Sequence, residues 1–126
     1  MKKIINTNKS PAPIGPYNQA ILRDNMLFIS GQIALDPISM KLNDDSIENE
    51  TNQVMMNLKN ILEEANMDFS NVVKTTIFLS DMDLFKKVND VYGKYIIEGF
   101  EPARETIAVK TLPMSVNVEI SMIAIL

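Results

Sequence analysis

Two charged residues sit where chemistry could be built. Arg104 follows Pro102 and Ala103 and opens a stretch that reads as a strand. A guanidinium presents a planar fork that can hold a carboxylate through two parallel hydrogen bonds. The alternative is a surface or salt-bridged arginine. Glu119 lies between Val118 and Ile120 in the apolar run VNVEISMIAIL, with Asn117 and Ser121 as its same-face neighbours. A carboxylate buried in such a segment must be paired, hydrogen-bonded or protonated. It could hold or activate a water molecule, or it could sit at a strand edge and reach solvent.

Composition narrows what such groups could do. The chain has neither histidine nor cysteine. Disulfides, thiolate nucleophiles and cysteine-based zinc sites are excluded, as are the commonest general base and metal ligand. Acid–base work therefore falls to Asp, Glu, Lys, Tyr, backbone or water. The acids at 44, 45, 48 and 50 read as loop and helix-start charges, because a calcium loop's ligand spacing and central glycine are absent. No metal site is expected. The net charge is −4 and the basic residues are scattered, which makes a nucleic-acid partner unlikely. Gly-x-Ser-x-Gly, phosphate-loop and dinucleotide fingerprints are missing.

The elements that must position these groups follow from pattern. At 126 residues the chain fits a single domain, 1–126, able to bury its own core. No apolar run could cross a bilayer, and the two N-terminal lysines are not followed by a secretory apolar region. A cytoplasmic address is the expectation. Pro11, Pro13, Gly15 and Pro16 mark an irregular loop. Strands are predicted at 17–22 and 26–35, the latter with Gly31 inside it. A glycine there signals a β-bulge or close approach by another group, and its backbone N–H could meet a ligand. Tyr17 could wall a pocket or anchor the loop.

Asp45 and Glu48 have capping-box spacing. Beyond them Val54, Met55, Leu58, Ile61, Leu62 and Ala65 recur at helical spacing, with Asn66 as a left-handed cap. A strand at 71–80 follows. A second helix is capped by Asp83, carries Leu84, Phe85, Val88, Val91, Tyr92, Tyr95 and Ile96, and is closed by Gly99. Strands at 106–110 and 116–126 complete the chain. The order implies an α+β fold, a mixed sheet with two helices on one face. The last strand is apolar on both faces, whereas a strand with one solvated face alternates. Another subunit is the natural cover for the second face.

Several segments together resemble one family. They are Ala12-Pro13-Ile14-Gly15-Pro16-Tyr17, Ile29-Ser30-Gly31-Gln32-Ile33, Val73 to Leu79, Val88 to Tyr92, Pro102-Ala103-Arg104, Leu112-Pro113 and Val118-Glu119-Ile120. In this order they are similar to the RidA (YjgF-like) reactive-intermediate imine deaminases, over nearly the whole chain. The resemblance implies a chorismate-mutase-like fold and a homotrimer with clefts between subunits. It implies hydrolysis of 2-iminobutanoate or 2-iminopropanoate to 2-keto acids with no cofactor. It assigns Arg104 to the substrate carboxylate and Glu119 to the attacking water. Gly31 gives a backbone N–H, Tyr17, Ser30 and Asn89 fall at pocket positions, and Thr106 stands where members carry Cys or Thr. By its own sequence context Asn89 reads instead as an exposed polar residue. Glu105 departs from the small residue usual after the arginine. As the next residue in a strand it should point away from Arg104. Phe100 is separated from Pro102 by Glu101, a second departure that bears on substrate preference. Two rival functions stand beside this one, a ribonuclease or translation inhibitor and a non-catalytic metabolite-binding or regulatory module.

Overall fold

The computed structural model describes residues 1–126. Six strands form one sheet: β1 (Lys2–Ile5), β2 (Ala20–Arg23), β3 (Met26–Gln32), β4 (Val72–Leu79), β5 (Ala103–Ala108) and β6 (Val118–Ile125). Their spatial order is β1-β2-β3-β6-β4-β5, antiparallel except for the β4/β5 pair. The mixed sheet with helices α1 (Ile47–Glu64) and α2 (Phe85–Gly93) is the α+β architecture that the pattern predicts.

The last strand to be made is the central one. β6 lies between β3 and β4 and alternates strictly, with Val118, Ile120, Met122 and Ala124 buried. These residues meet the buried side of α1, formed by Val54, Met55, Leu58, Ile61 and Leu62. The opposite face carries Met26 and Phe28 of β3, Phe78 of β4, Ile107 of β5, and Ile123 and Ile125 of β6, all partly or fully exposed. No helix covers it. The sheet thus has an apolar second face, as the doubly apolar last strand requires.

Several boundaries differ from the sequence reading. β1 was not anticipated, because the lysines of its LysLysIleIle sequence stand at the edge of the sheet where they remain solvated. The cap of α1 is Ser46, whose side chain accepts from the Asn49 N–H at 3.0 Å. Asp45 binds the Asn49 side chain instead. Asp81, not Asp83, caps a 3₁₀ turn (Met82–Leu84) that runs directly into α2. That helix ends at Gly93, ahead of Tyr95 and Ile96. Gly99 does take a left-handed backbone, φ 87°, but in the turn beyond. Asn66 is left-handed as expected, φ 58°. β5 runs from Ala103 to Ala108, so Arg104 and Glu105 lie within it, as the reading of a strand opening at Arg104 has it, and it stops short of the predicted end at Lys110. β3 stops at Gln32, and Ile33 to Leu35 lead out of the strand.

Candidate active site

Glu119 is the second residue of β6 and faces the side of the sheet opposite the helices. It is half-buried and stands across from Phe78. Burial alone raises its carboxyl above the ordinary glutamate range. Within the chain no cation or hydrogen bond offsets this effect, so the protonated form is favoured more than in a solvated glutamate.

Gly31 explains how Glu119 fits. The β3/β6 register shifts between Ile29 and Gln32, so Gly31 sits in a bulge. A Cβ at Gly31 would lie 2.9 Å from the Glu119 carboxylate carbon and from Oε1. Bulge and close approach, posed as alternatives from sequence, are one feature here: the bulge turns the backbone toward Glu119, and only glycine leaves room.

A cleft of about 400 Å³ opens over this pair. Tyr17, Ser30, Gly31, Gln32, Pro113 and Glu119 are among its lining residues. Tyr17 is 46% exposed; its ring lies against Gly15, and its hydroxyl accepts from the Ile14 N–H at 3.3 Å. It is therefore both loop anchor and cleft wall. The Ser30 hydroxyl donates to the Asn18 carbonyl at 2.6 Å.

Arg104 belongs to a second cleft, of about 600 Å³, with Asn89, Tyr92, Glu98, Glu101 and Pro102. Its Nη1 donates to Asn89 Oδ1 at 2.7 Å. Its guanidinium carbon lies 5.2 Å from the centre of the Tyr92 ring and 5.7 Å from that of Phe85. Two aromatic faces and one amide thus hold the fork in place. Tyr92 is itself fixed through its hydroxyl, 3.1 Å from buried Thr75 Oγ1. Burial raises the Tyr92 phenol, partly opposed by the Thr75 hydrogen bond and then by the Arg104 charge. Arg104 forms none of the ion pairs in the molecule, so its remaining donors face the cleft. Asn89, exposed by its sequence context, is half-buried and acts as the arginine's holder.

Thr106 lies two residues along β5 on the same face as Arg104. Its hydroxyl is buried without a hydrogen-bond partner. Glu105 points to the other face, as predicted. Thr76 and Lys74 hold it there, the latter with a 2.9 Å ion pair, and these bonds lower its carboxyl below the ordinary range, the Thr76 hydroxyl contributing most. It therefore does not oppose an anion at Arg104. Glu101 does border that cleft, with its carboxylate turned back on the Gly99 N–H.

One chain does not bring Arg104 and Glu119 together. Register places Arg104 opposite Thr75 and Thr106 opposite Ile77, both on the helix side of the sheet, whereas Glu119 pairs with Phe78 on the other side. Tyr17, Ser30 and Gly31 share the cleft of Glu119; Asn89 shares that of Arg104.

Sequence reasoning missed the buried polar groups that build the first cleft. Gln19, 2% exposed, accepts from the Thr7 N–H and donates to the carbonyls of Thr7, Ser10 and Pro11, fixing the loop that forms one wall. Asn57, fully buried, donates to the carbonyls of Ile33 and Leu35, and its own carbonyl accepts from Ser10. Glu50, read as a helix-start charge, is fully buried as well. Glu50 and Asn57 were detectable. They fall in phase with the apolar stripe through Val54, Leu58 and Ile61, where a polar residue must find buried partners.

Residues 7–126 match the protein family described as Endoribonuclease L-PSP. A RutC family protein of Synechocystis is 49% identical over 125 residues, covering 98% of this chain and 96% of its own. A Bos taurus protein named 2-iminobutanoate/2-iminopropanoate deaminase is 46% identical, covering 99% and 90%. The crystal structure of a Rid-family protein of Yersinia pestis superposes with a TM-score of 0.97 at 39% identity, covering all of both chains.

Proposed function

The chain belongs to the RidA family, the group matched as Endoribonuclease L-PSP, and from that premise we propose that it hydrolyses reactive 2-imino acids to 2-keto acids and ammonia. The observation that supports this most directly is a pair of charged groups, each built into a cleft and each without a partner of opposite charge in its own chain. Arg104 is held by Asn89 and two rings with donors to spare. Glu119 is half-buried, and that burial raises its carboxyl. The relatives named 2-iminobutanoate/2-iminopropanoate deaminase, at 42–46% identity, point to the substrate class.

In the proposed reaction Arg104 grips the substrate carboxylate, and Glu119 holds a water against the imine carbon. The water oxygen bonds to that carbon as Glu119 takes one of its protons. Glu119 returns the proton to nitrogen and the C–N bond breaks; the carbinolamine hydroxyl then gives its proton to Glu119, which passes it to the departing ammonia, so that a keto acid and ammonium leave and the carboxylate is restored. A protonated imine is already electrophilic, so orientation and a proton relay suffice without histidine or cysteine. Water is the only co-substrate in this scheme. Tyr17, Ser30 and the Gly31 backbone complete the substrate surface, and Thr106 stands beside it on the face of β5 that carries Arg104. RNA cleavage, the activity in the family's description, fits poorly with a net charge of −4 and no histidine.

The test is a coupled assay. A pyridoxal-phosphate-dependent threonine dehydratase releases 2-iminobutanoate, and semicarbazide traps what escapes. Adding this protein should suppress semicarbazone formation in proportion to its concentration. Unchanged semicarbazone formation with folded protein would remove the deaminase reading.

The two clefts meet only if a second chain is added. The uncovered face with Met26, Phe28, Ile107 and Ile123 is large and apolar, and such faces mark protein contacts. β5, which carries Arg104, is a sheet edge. The proposed assembly is a homotrimer in which Arg104 of one protomer faces Glu119 of its neighbour. Light scattering at micromolar concentration should give three times the 14.2 kDa chain mass; a monomer mass would rule the assembly out.

A further inference from the structure

Glu50 is the only charged residue among those withdrawn from solvent. It sits in the first turn of α1, far along the chain from the site, yet all its partners lie at the start of β6. Oε2 accepts from the backbone N–H groups of Asn117 at 2.8 Å and Val118 at 3.1 Å, and Oε1 accepts from Asn117 Nδ2 at 3.0 Å. No cation pairs with it. A buried carboxylate with no counter-charge is a poor way to stabilise a fold, since an apolar side chain of similar size commonly does as well.

What the carboxylate does achieve is to fix a short segment. The residue after Val118 is Glu119. The segment before Asn117 is a tight turn with Met114 and Ser115 both left-handed, φ 54° and 55°, and Pro113 of that turn lines the Glu119 cleft. Asn117 is tied from the other side too: its Oδ1 accepts from Ser80 Oγ and its carbonyl from the Ser80 N–H, each at 3.0 Å. A strand end leaving such a turn would fray if its N–H groups were left to water. The Glu119 carboxylate, meanwhile, passes so close to Gly31 that a Cβ would collide with it.

We propose that Glu50 is a positioning residue for Glu119: by holding the Asn117 and Val118 N–H groups, it sets the first residues of β6 and keeps the Glu119 carboxylate over Gly31. This rests on the proposed role of Glu119 in deamination. Arg104 stands on β5 and is held by Asn89 of α2, and the Glu50 clamp touches neither element, so the grip on the substrate carboxylate should survive its loss. Misplacement by about 1 Å can reduce turnover by about a hundredfold.

Glu50→Ala should therefore lower kcat by about tenfold or more and leave KM within about twofold. Glu50→Gln should restore kcat to within about threefold of the parent. Its carbonyl can accept both backbone N–H groups, and its NH₂ can donate to Asn117 Oδ1 once that amide turns over, Ser80 Oγ then accepting from Nδ2. The pH profile adds a readout that general destabilisation would not move. Within the chain Tyr17 is the only other titratable residue lining the Glu119 cleft, and Phe78 stands opposite on β4; in the proposed trimer the neighbour's Arg104 also faces the cleft, in parent and variant alike. Freeing the start of β6 admits water to Glu119, so the acid limb of kcat should move to lower pH in Glu50→Ala and stay in place in Glu50→Gln. If Glu50→Ala does not fold, Asn117→Ala, which removes one arm of the clamp, should show the same two shifts to a lesser degree.

A folded Glu50→Ala, or failing that Asn117→Ala, with unchanged kcat and acid limb would overturn the proposal. So would equal impairment of Glu50→Ala and Glu50→Gln. Carboxyl ¹³C NMR of Glu119 should report the same downward shift of its titration without turnover. An inactive parent protein that still showed this shift would count against the deaminase reading alone.

Discussion

Glutamine at position 119 should remove most of the turnover and leave the protein at least as stable as its parent. The two side chains have the same shape, so the approach to Gly31 is preserved. What is lost is the ability to take a proton from water and return it to nitrogen. General acid–base catalysis is worth roughly 10²–10⁴-fold, and kcat should fall by at least the lower figure. The stability effect has the opposite sign. Burial raises the Glu119 carboxyl, so the folded state favours the protonated form more than the unfolded chain does. Its contribution to stability is fully present below the unfolded value, about 4.3, and is lost as pH rises through the higher folded value. At pH 7 the ionised group therefore bears a desolvation cost that the amide does not. The melting temperature of Glu119→Gln should equal or exceed that of the parent at pH 7, and the gap should close toward pH 4. In the parent, kcat should decline on the acid side with a midpoint above the ordinary glutamate range, a limb absent from the variant's residual activity. Parent-level kcat in a folded Glu119→Gln would exclude Glu119 from the mechanism.

That the candidate groups could be named from sequence, but not which of them share a cleft within the chain, has a physical reason. The apolar stripe of α1 and the alternation of β6 are local patterns, and both elements appear where they point. The last strand's second apolar face also proved real. Which face a residue takes relative to a residue on another strand is a different matter. It depends on register, and register here includes shifts at Ile29/Gln32 and Val72/Lys74. Each shift changes which residues across the pair share a side of the sheet. β5 has no clear alternation of its own, with only Thr106 less than exposed, so nothing local showed that Arg104 turns toward α2. The buried polar residues of α1 show in the sequence only by their phase with the apolar stripe, and their partners do not show at all. Glu50 is three residues from the start of α1 and resembles the solvated acids beside it until the helix is docked and β6 lies over it. The cap at Ser46 was displaced by one residue because Asp45, Ser46 and Glu48 all suit a helix start.

Arg104→Lys should fail almost as badly as Arg104→Ala. Lysine keeps the positive charge, so general attraction for an anion survives. It loses the planar fork that can bind both carboxylate oxygens while a third donor stays on Asn89. In the parent, Asn89 Oδ1 holds Nη1 at 2.7 Å, and the rings of Phe85 and Tyr92 fix the plane of the guanidinium. An ammonium has no plane to fix. It would satisfy either Asn89 or the substrate, and the imine carbon would no longer be aimed at the water. One hydrogen bond to a charged group is worth about 1.5–3 kcal/mol. Losing one such bond and the alignment should lower kcat/KM by on the order of ten- to a hundredfold or more. Both kcat and KM should suffer, because the fork binds substrate and also directs it. Stability should barely change, since Arg104 is exposed and forms no ion pair. Thermal melts of the parent and both variants should therefore agree within a few degrees, separating misfolding from lost alignment. A folded Arg104→Lys with the parent's kcat/KM on 2-iminobutanoate would show that charge alone suffices. Arg104 would then be a surface cation resting on two rings, and the carboxylate clamp would have to be sought elsewhere.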